Sequence, residues 1–241
     1  MLGARRQDVW LLEEDPELGA EVPTDESAAA TQQVLAPLRV VEPGSWEADE
    51  EYSGQTECFG LLVLEGFLLR HISCLEQSSA ELLGPGDVIR PWDHDGDYPL
   101  ESITTSFVVL ERARIAVLGA RFLESASQWP TIMGILIQRI GRRSRWLAVR
   151  TTISQLERAT VRVLYLLWHL AERWGRVTAE GIVVPIELTH KQIAELIGAR
   201  RPSVTNALGE LQKDALVARR AAGGWVLRHD IADQLDALLA R

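Results

Sequence analysis

Residues 189–211 read THKQIAELIGARRPSVTNALGEL, and their spacing is that of two short helices joined by a turn. Ile193, Ala194 and Ile197 share one face of the first helix; Val204, Ala207 and Leu208 share one face of the second. The small Ala194 allows the helices to cross closely. Gly198 can take a left-handed conformation at no steric cost. Thr189 stands where an N-cap should, its hydroxyl able to accept from an orphan backbone N–H. Pro202 falls in the first turn of the second helix, where its missing N–H costs no hydrogen bond. The groups left outward on the second helix are Arg200, Arg201, Ser203, Thr205, Asn206 and Glu210. Most are hydrogen-bonding groups that suit the edge of a DNA groove, and the two arginines stand at the end where base and phosphate contacts of such a motif concentrate.

The sequence that follows supports this. Leu216 and Val217 lead into a strand, Gly223–Gly224 make a turn, and Trp225, Val226 and Leu227 return. A helix-turn-helix followed by a hairpin is a winged helix, expected over 153–241 with an extra amphipathic helix from Asp230 to Ala240. The expected DNA-contacting residues are Thr189 and Gln192 at the entry of the first helix, then Arg200, Arg201, Ser203, Thr205 and Asn206. Arg219 and Arg220 in the wing are further phosphate contacts or a solvated hairpin face.

The chain has 241 residues and a net charge of −9, which at first sight opposes binding to DNA. Its distribution removes the conflict. Residues 1–125 hold 24 acidic and 8 basic residues and residues 126–241 hold 10 and 17; the nets of −16 and +7 make up the −9. A basic half can meet phosphates while an acidic half is held away from them. Cys58 and Cys74 are the only cysteines, lie in apolar strand-like segments and form no CxxC. Two buried free thiols are expected. Neither a signal peptide nor an apolar stretch of membrane-spanning length is evident, so a cytoplasmic chain with no membrane partner is expected.

Residues 1–35 are acidic; Arg5 to Leu12 suggests a short amphipathic helix, Glu13–Glu17 is a charge run, and a solvated cap or mobile arm is expected. Val34–Val41 begins the strands. Cys58–Cys74 is an apolar run broken at Glu65–Gly66, as in a hairpin. Gln77–Ser79 reads as a loop, Gly84–Asp87 as a turn, Val88–Arg90 as a strand and Pro91–Pro99 as a polar loop. Ile103–Glu111 and Ala113–Leu118 read as strands. Many short strands between Gly/Pro turns indicate a β-roll or barrel over 1–126. The period then changes. Met133, Ile137, Ile140, Ser144 and Leu147 recur in heptad-like fashion within a helix over 127–152, which is either core-facing or a dimer helix. Glu157–Trp174 reads as another helix ended by Gly175, and Ile182–Ile186 as a short strand.

This order of parts resembles the Crp/Fnr family of bacterial transcription regulators. The resemblance covers about residues 37–229. It rests on Leu64–Glu65–Gly66, on the turn at Leu83–Ile89, on the helix start at Trp129–Pro130, and most closely on Leu188–Leu211. It implies an α+β fold: an N-terminal β-roll (a double-stranded β-helix, cyclic-nucleotide-binding-like), a long dimerisation helix and a C-terminal winged helix-turn-helix. It implies a homodimer reading a pseudo-palindromic site on double-stranded DNA, with RNA polymerase a candidate partner. Arg201 matches a base-reading arginine, Asn206 a second reading position, and Arg200 and Ser203 phosphate contacts. Pro202 stands where many members place a glutamate reader, so the target sequence should be different.

The family's cyclic-AMP-binding members pair a Gly-Glu with an Arg-Ser or Arg-Thr. Residues 88–97 read VIRPWDHDGD and contain neither, and their acidic loop would repel a cyclic phosphate. An effector other than cyclic AMP is therefore expected; the alternative is a ligand-independent DNA-binding protein with a vestigial sensor. Two cysteines cannot hold an iron–sulfur cluster. His71 and Cys74 are conceivable haem ligands but read better as strand residues, and Asp93–Asp97 reads better as a turn than as a metal loop, Thr104 standing where an EF-hand needs glutamate. No catalytic constellation is evident, so neither an enzyme nor a cofactor is expected.

Overall fold

The computed structural model describes residues 7–52, 58–75, 77–91, 103–221 and 223–239. It divides into two compact units, 1–145 and 146–241. Unit 1 begins with β1 (Gln7–Trp10), α1 (Leu11–Glu14), a 3-10 turn (Pro16–Gly19) and α2 (Ser27–Gln33). Then come β2 (Leu35–Val41), β3 (Gly44–Trp46), α3 (Ala48–Tyr52), β4 (Leu61–Glu65), β5 (Leu68–Cys74), β6 (Gln77–Leu83), β7 (Val88–Ile89), β8 (Ile103–Val109), β9 (Ala113–Val117) and α4 (Ala120–Ala126). The long α5 (Pro130–Ser154) starts in unit 1 and ends in unit 2. The strands form two antiparallel sheets, ordered β1-β2-β9-β4-β7 and β3-β8-β5-β6.

The first sheet is buried on both faces, which is why β4 is a continuous apolar run. Successive side chains of a strand point to opposite faces. Leu61 and Val63 enter the space between the sheets with Trp46, Tyr52, Phe107 and Ile115. Leu62 and Leu64 face the other way, toward Leu11, Leu18, Phe122, Trp129 and Ile132. The aromatic group between the sheets is edge-on, with Trp46 at 5.9 Å from Phe107 and 6.5 Å from Tyr52.

Several sequence expectations are corrected. The break at Glu65–Gly66 is no hairpin, because β4 and β5 lie in different sheets. Gly66 (φ +85) is the crossing point, and a Cβ there would lie 2.7 Å from the Arg112 carbonyl oxygen. Gln77–Ser79 is strand, not loop. It pairs with Ile72–Cys74 of β5, its polar side chains are exposed, and the reversal falls at Leu75 (φ 55). The acidic arm is built into the fold. Gln7–Trp10 is strand rather than helix, and β1 pairs with β2. Leu11, Leu12, Leu18, Val22, Ala30 and Val34 are buried, and its carboxylates meet arginines: Asp8 with Arg121, Glu14 with Arg114 (2.6 Å), Asp15 with Arg139. Cys58 is buried but Cys74 is exposed, and both are free thiols. Burial pushes the Cys58 thiol up. Arg5 and the loop Asp93–Asp97 lie outside the described residues.

On α5 the buried face is Ile132, Ile135, Leu136 and Arg139. The heptad-like stripe lies elsewhere: Ile137 is 60% exposed, Ile140 and Ser144 are exposed, and Met133 and Leu147 are half-buried. Arg143 turns inward. Its Nε and Nη2 donate to Glu81 at 2.7 and 2.9 Å and its Nη1 to the Val88 carbonyl at 2.8 Å. Arg70 reaches the same carboxylate at 2.6 Å.

Unit 2 contains the end of α5, then α6 (Ala159–Trp174), β10 (Arg176–Thr178), β11 (Gly181–Val184), α7 (His190–Ile197), α8 (Arg201–Lys213), β12 (Val217–Arg219), β13 (Trp225–Leu227) and α9 (Ile231–Leu239). The strand β10 had no apolar signal in the sequence, and all three of its residues are exposed. Its sheet runs β10-β11-β13-β12. Val161, Leu164, Leu167 and Leu170 give α6 a buried stripe against which α7 and α8 pack.

Candidate nucleic-acid interface

The cap of α7 is a reciprocal box. The Gln192 amide donates to Thr189 Oγ1 at 3.2 Å, and the Thr189 amide donates to Gln192 Oε1 at 2.8 Å. The Thr189 hydroxyl donates to the same Oε1 at 3.0 Å. Two orphan donors are thus satisfied at the start of the helix, an arrangement worth about 1 kcal/mol. Thr189 and Gln192, expected as DNA contacts, are engaged with each other.

Gly198 (φ 62, ψ 44) ends α7 in the left-handed region. The Ala199 amide then closes back on the Ala194 carbonyl at 2.9 Å. Arg162 of α6 braces this turn. Its Nη1 lies 3.4 and 3.2 Å from the carbonyls of Ile197 and Gly198, and 3.3 Å from that of Ser154 at the end of α5. The chain re-enters helix at Arg200, the N-cap of α8, with Pro202 in the first turn. Val204, Ala207, Leu208 and Leu211 are buried along α8. The opposite face exposes Arg201, Pro202, Ser203, Thr205 and Asn206 together, with Arg200 exposed at the cap. Neither arginine has an ion-pair partner among the described residues. Glu210, also expected outward, accepts from the Thr160 hydroxyl at 2.6 Å.

The hairpin forms as expected, β12 against β13 with Val217 opposite Leu227. Arg219 is not free. It pairs with Glu187 at 3.4 Å and lies 5.8 Å from the Trp225 ring centre. Arg220 is half-buried and its backbone closes the turn with Gly224. The sequence did not single out His190. Its Nδ1 lies 2.9 Å from Thr205 Oγ1, so it joins the first residue of α7 to the exposed face of α8. Helical spacing cannot signal a pair fifteen residues apart across a turn.

Residues 161–235 match the family described as the Crp-like helix-turn-helix domain. Unit 2 is a Crp-like helix-turn-helix domain. The chain is similar to the regulatory protein CysR of Synechococcus elongatus, with 32% identity over 146 residues, 59% of this chain and 62% of that one, under two thirds of the relative's length. In fold it is similar to a CooA variant from Carboxydothermus hydrogenoformans (TM-score 0.63, 15% identity, covering 84% of this chain and 87% of that one). It is also similar to a CRP/FNR family regulator from Thermus thermophilus (TM-score 0.57, 18% identity, covering 83% and 98%). With the β-roll ahead of the Crp-like domain, the chain is built as the Crp/Fnr regulators are. No described helix is long and apolar enough to cross a membrane. Among the described residues, no group of three His, Cys, Asp or Glu could hold a metal ion.

Proposed function

We propose that the chain is a sequence-specific DNA-binding transcription regulator that acts as a homodimer on a pseudo-palindromic site. The observation that carries this is the exposed face of α8, where Arg201, Ser203 and Asn206 stand together on a helix whose other face is fully buried. Arg201 is suited to guanine O6 and N7, Asn206 reads a second base, and Arg200, Ser203 and Arg220 meet phosphates. The exposed Ile137, Ile140 and Ser144 on α5 supply the face along which two copies pair. Double-stranded DNA is the partner, RNA polymerase is a further candidate, and the effector is a small molecule other than cyclic AMP.

Arg201→Ala tests the site. It is expected to cost about 1–3 kcal/mol on the specific sequence and to relax discrimination at one base pair. Unchanged specific binding, measured by footprinting wild type and variant on genomic fragments, sinks the assignment.

A second reading, a ligand-independent binder with a vestigial sensor, is favoured by two features of unit 1. Trp46, Tyr52 and Phe107 fill the space between the sheets, and Arg143 fastens α5 to Glu81 through the protein's own charges. DNA affinity that does not change when cell-extract metabolites are added would select this reading; a change selects an effector.

A further inference from the structure

The contact between His190 and Thr205 has a polarity that can be worked out. The Thr205 hydroxyl donates its one proton to the Arg201 carbonyl at 3.1 Å. Its oxygen must then accept from His190, so Nδ1 at 2.9 Å carries a proton. The other ring nitrogen, Nε2, makes no hydrogen bond among the described residues. The ring is thus anchored by one edge beside an exposed recognition face and open at the other. Thr205, meanwhile, has spent its proton inside the helix and has none to give to a base.

Resting on the DNA-binding reading above, we propose that His190 contacts the DNA backbone, Nε2–H donating to a phosphate oxygen while Nδ1–H is held by Thr205. A ring whose two nitrogens both donate is the imidazolium form. The contact therefore takes up a proton where the free imidazole lacks one. The charged groups on the elements that carry and adjoin the ring are Lys191 and Glu195 on α7; Arg200 and Arg201 at the start of α8, with Glu210 and Lys213 toward its end; Arg158 and Arg162 at the start of α6, with Glu172 and Arg173 at its end; and Glu187 before the cap. Of the carboxylates, Glu195 is within 3.7 Å of Lys191, Glu187 is within 3.4 Å of Arg219, and Glu210 accepts from the Thr160 hydroxyl at 2.6 Å. A phosphate is thus the acceptor that fits this position. Thr205 becomes a positioning residue, and its methyl rather than its hydroxyl is left to face the groove.

The test uses the full chain and a labelled random-sequence duplex, so that no target site need be known. Wild type is expected to bind severalfold more tightly at about pH 6 than at about pH 8, because the proposed contact needs a proton on both ring nitrogens. At the lower pH its salt dependence should be steeper by about 0.9 for each phosphate so neutralised. His190→Gln should lose both the pH response and the extra salt slope. Thr205→Val, which frees the ring, should reduce both. Thermal melts check that the variants fold, and the capping box of Thr189 and Gln192 is untouched in each. If His190→Gln keeps the wild-type pH response and salt slope, the contact is overturned. If wild type binds no duplex at all, the DNA-binding reading itself has failed.

Discussion

The arginines packed into unit 1 and those on the exposed face of α8 in unit 2 are arranged on opposite plans. In unit 1 the arginines turn toward carboxylates: Arg114 to Glu14, Arg121 to Asp8, Arg139 to Asp15, and Arg70 and Arg143 to Glu81. In unit 2, Arg200 and Arg201 stand exposed and unpaired on the described surface. The half-buried base there, His169, gains no support from a carboxylate among the described residues; it stacks on Trp146 with ring centres 3.3 Å apart. The consequence is chemical. Burial opposes the charge of Arg143, but the Glu81 hydrogen bonds and charge hold its pKa above the ordinary value. Burial of His169, with some repulsion from Arg173, pushes its pKa down to about 3. A buried base keeps its proton where the fold supplies a carboxylate and loses it where the fold does not. An exposed base without a partner keeps its charge for a ligand.

The largest effect is expected where charge is buried and paired. Glu81 is 4% exposed and holds two guanidinium groups. Glu81→Gln removes the carboxylate that both guanidinium groups contact and leaves only the weaker charge of the buried Asp87 to oppose theirs, and a loss of about 3 kcal/mol is expected for unit 1. Replacing Glu81 and Arg143 together by Leu and Met should recover part of that loss, since an apolar pair strands one charge fewer. Denaturant unfolding of the two variants decides it; a Glu81→Gln chain as stable as wild type would mean that the network contributes nothing.

The sequence made one side of this contrast legible and hid the other. The helix-turn-helix could be read because its determinants are local: Thr189 caps the helix it starts, Gly198 takes the turn it sits in, and Val204, Ala207 and Leu208 follow one period. The arm could not. Asp8, Glu14 and Asp15 look like part of a solvated acidic arm until Arg121, Arg114 and Arg139, a hundred or more residues away, are folded against them. The hairpin wrongly expected at Glu65–Gly66 failed for a related reason, because an apolar run does not say which sheet its continuation joins. Arg143 falls off the heptad-like stripe of α5, and that spacing does not say which side of the helix is buried. The helix in fact buries the neighbouring side, leaving Ile137 and Ile140 outside.

An intermediate effect is expected from the half-buried His169. The folded-state pKa of His169 lies far below the ordinary value near 6.5, so the unfolded chain binds the proton more readily. Stability is then fully present above about pH 6.5 and is lost as the pH falls toward about 3, by up to about 1.4 kcal/mol per pH unit. His169→Phe, which keeps a ring against Trp146, should flatten this part of the stability profile of unit 2 without lowering its value at neutral pH. A variant with the wild-type acid slope would show that other groups carry it.

The smallest effect lies in the wing, at one of the exposed ion pairs of unit 2. Arg219 is a basic residue of unit 2 that does have an acid partner, Glu187, but both side chains are exposed, at 48% and 70%. Exposed ion pairs are worth roughly 0–1 kcal/mol, so the pair should be separable with little change in folding stability. If pairing governs availability, Glu187→Gln frees a cation for DNA. Affinity for duplex should rise and the salt dependence should steepen by as much as about 0.9, the increment for one further phosphate. Arg219→Ala should weaken binding less than Arg220→Ala does, because only the former residue is already engaged. Should Arg219→Ala prove the more damaging of the two, the Glu187 contact gives way in the complex, and pairing in the free protein would no longer distinguish structural arginines from those that meet DNA.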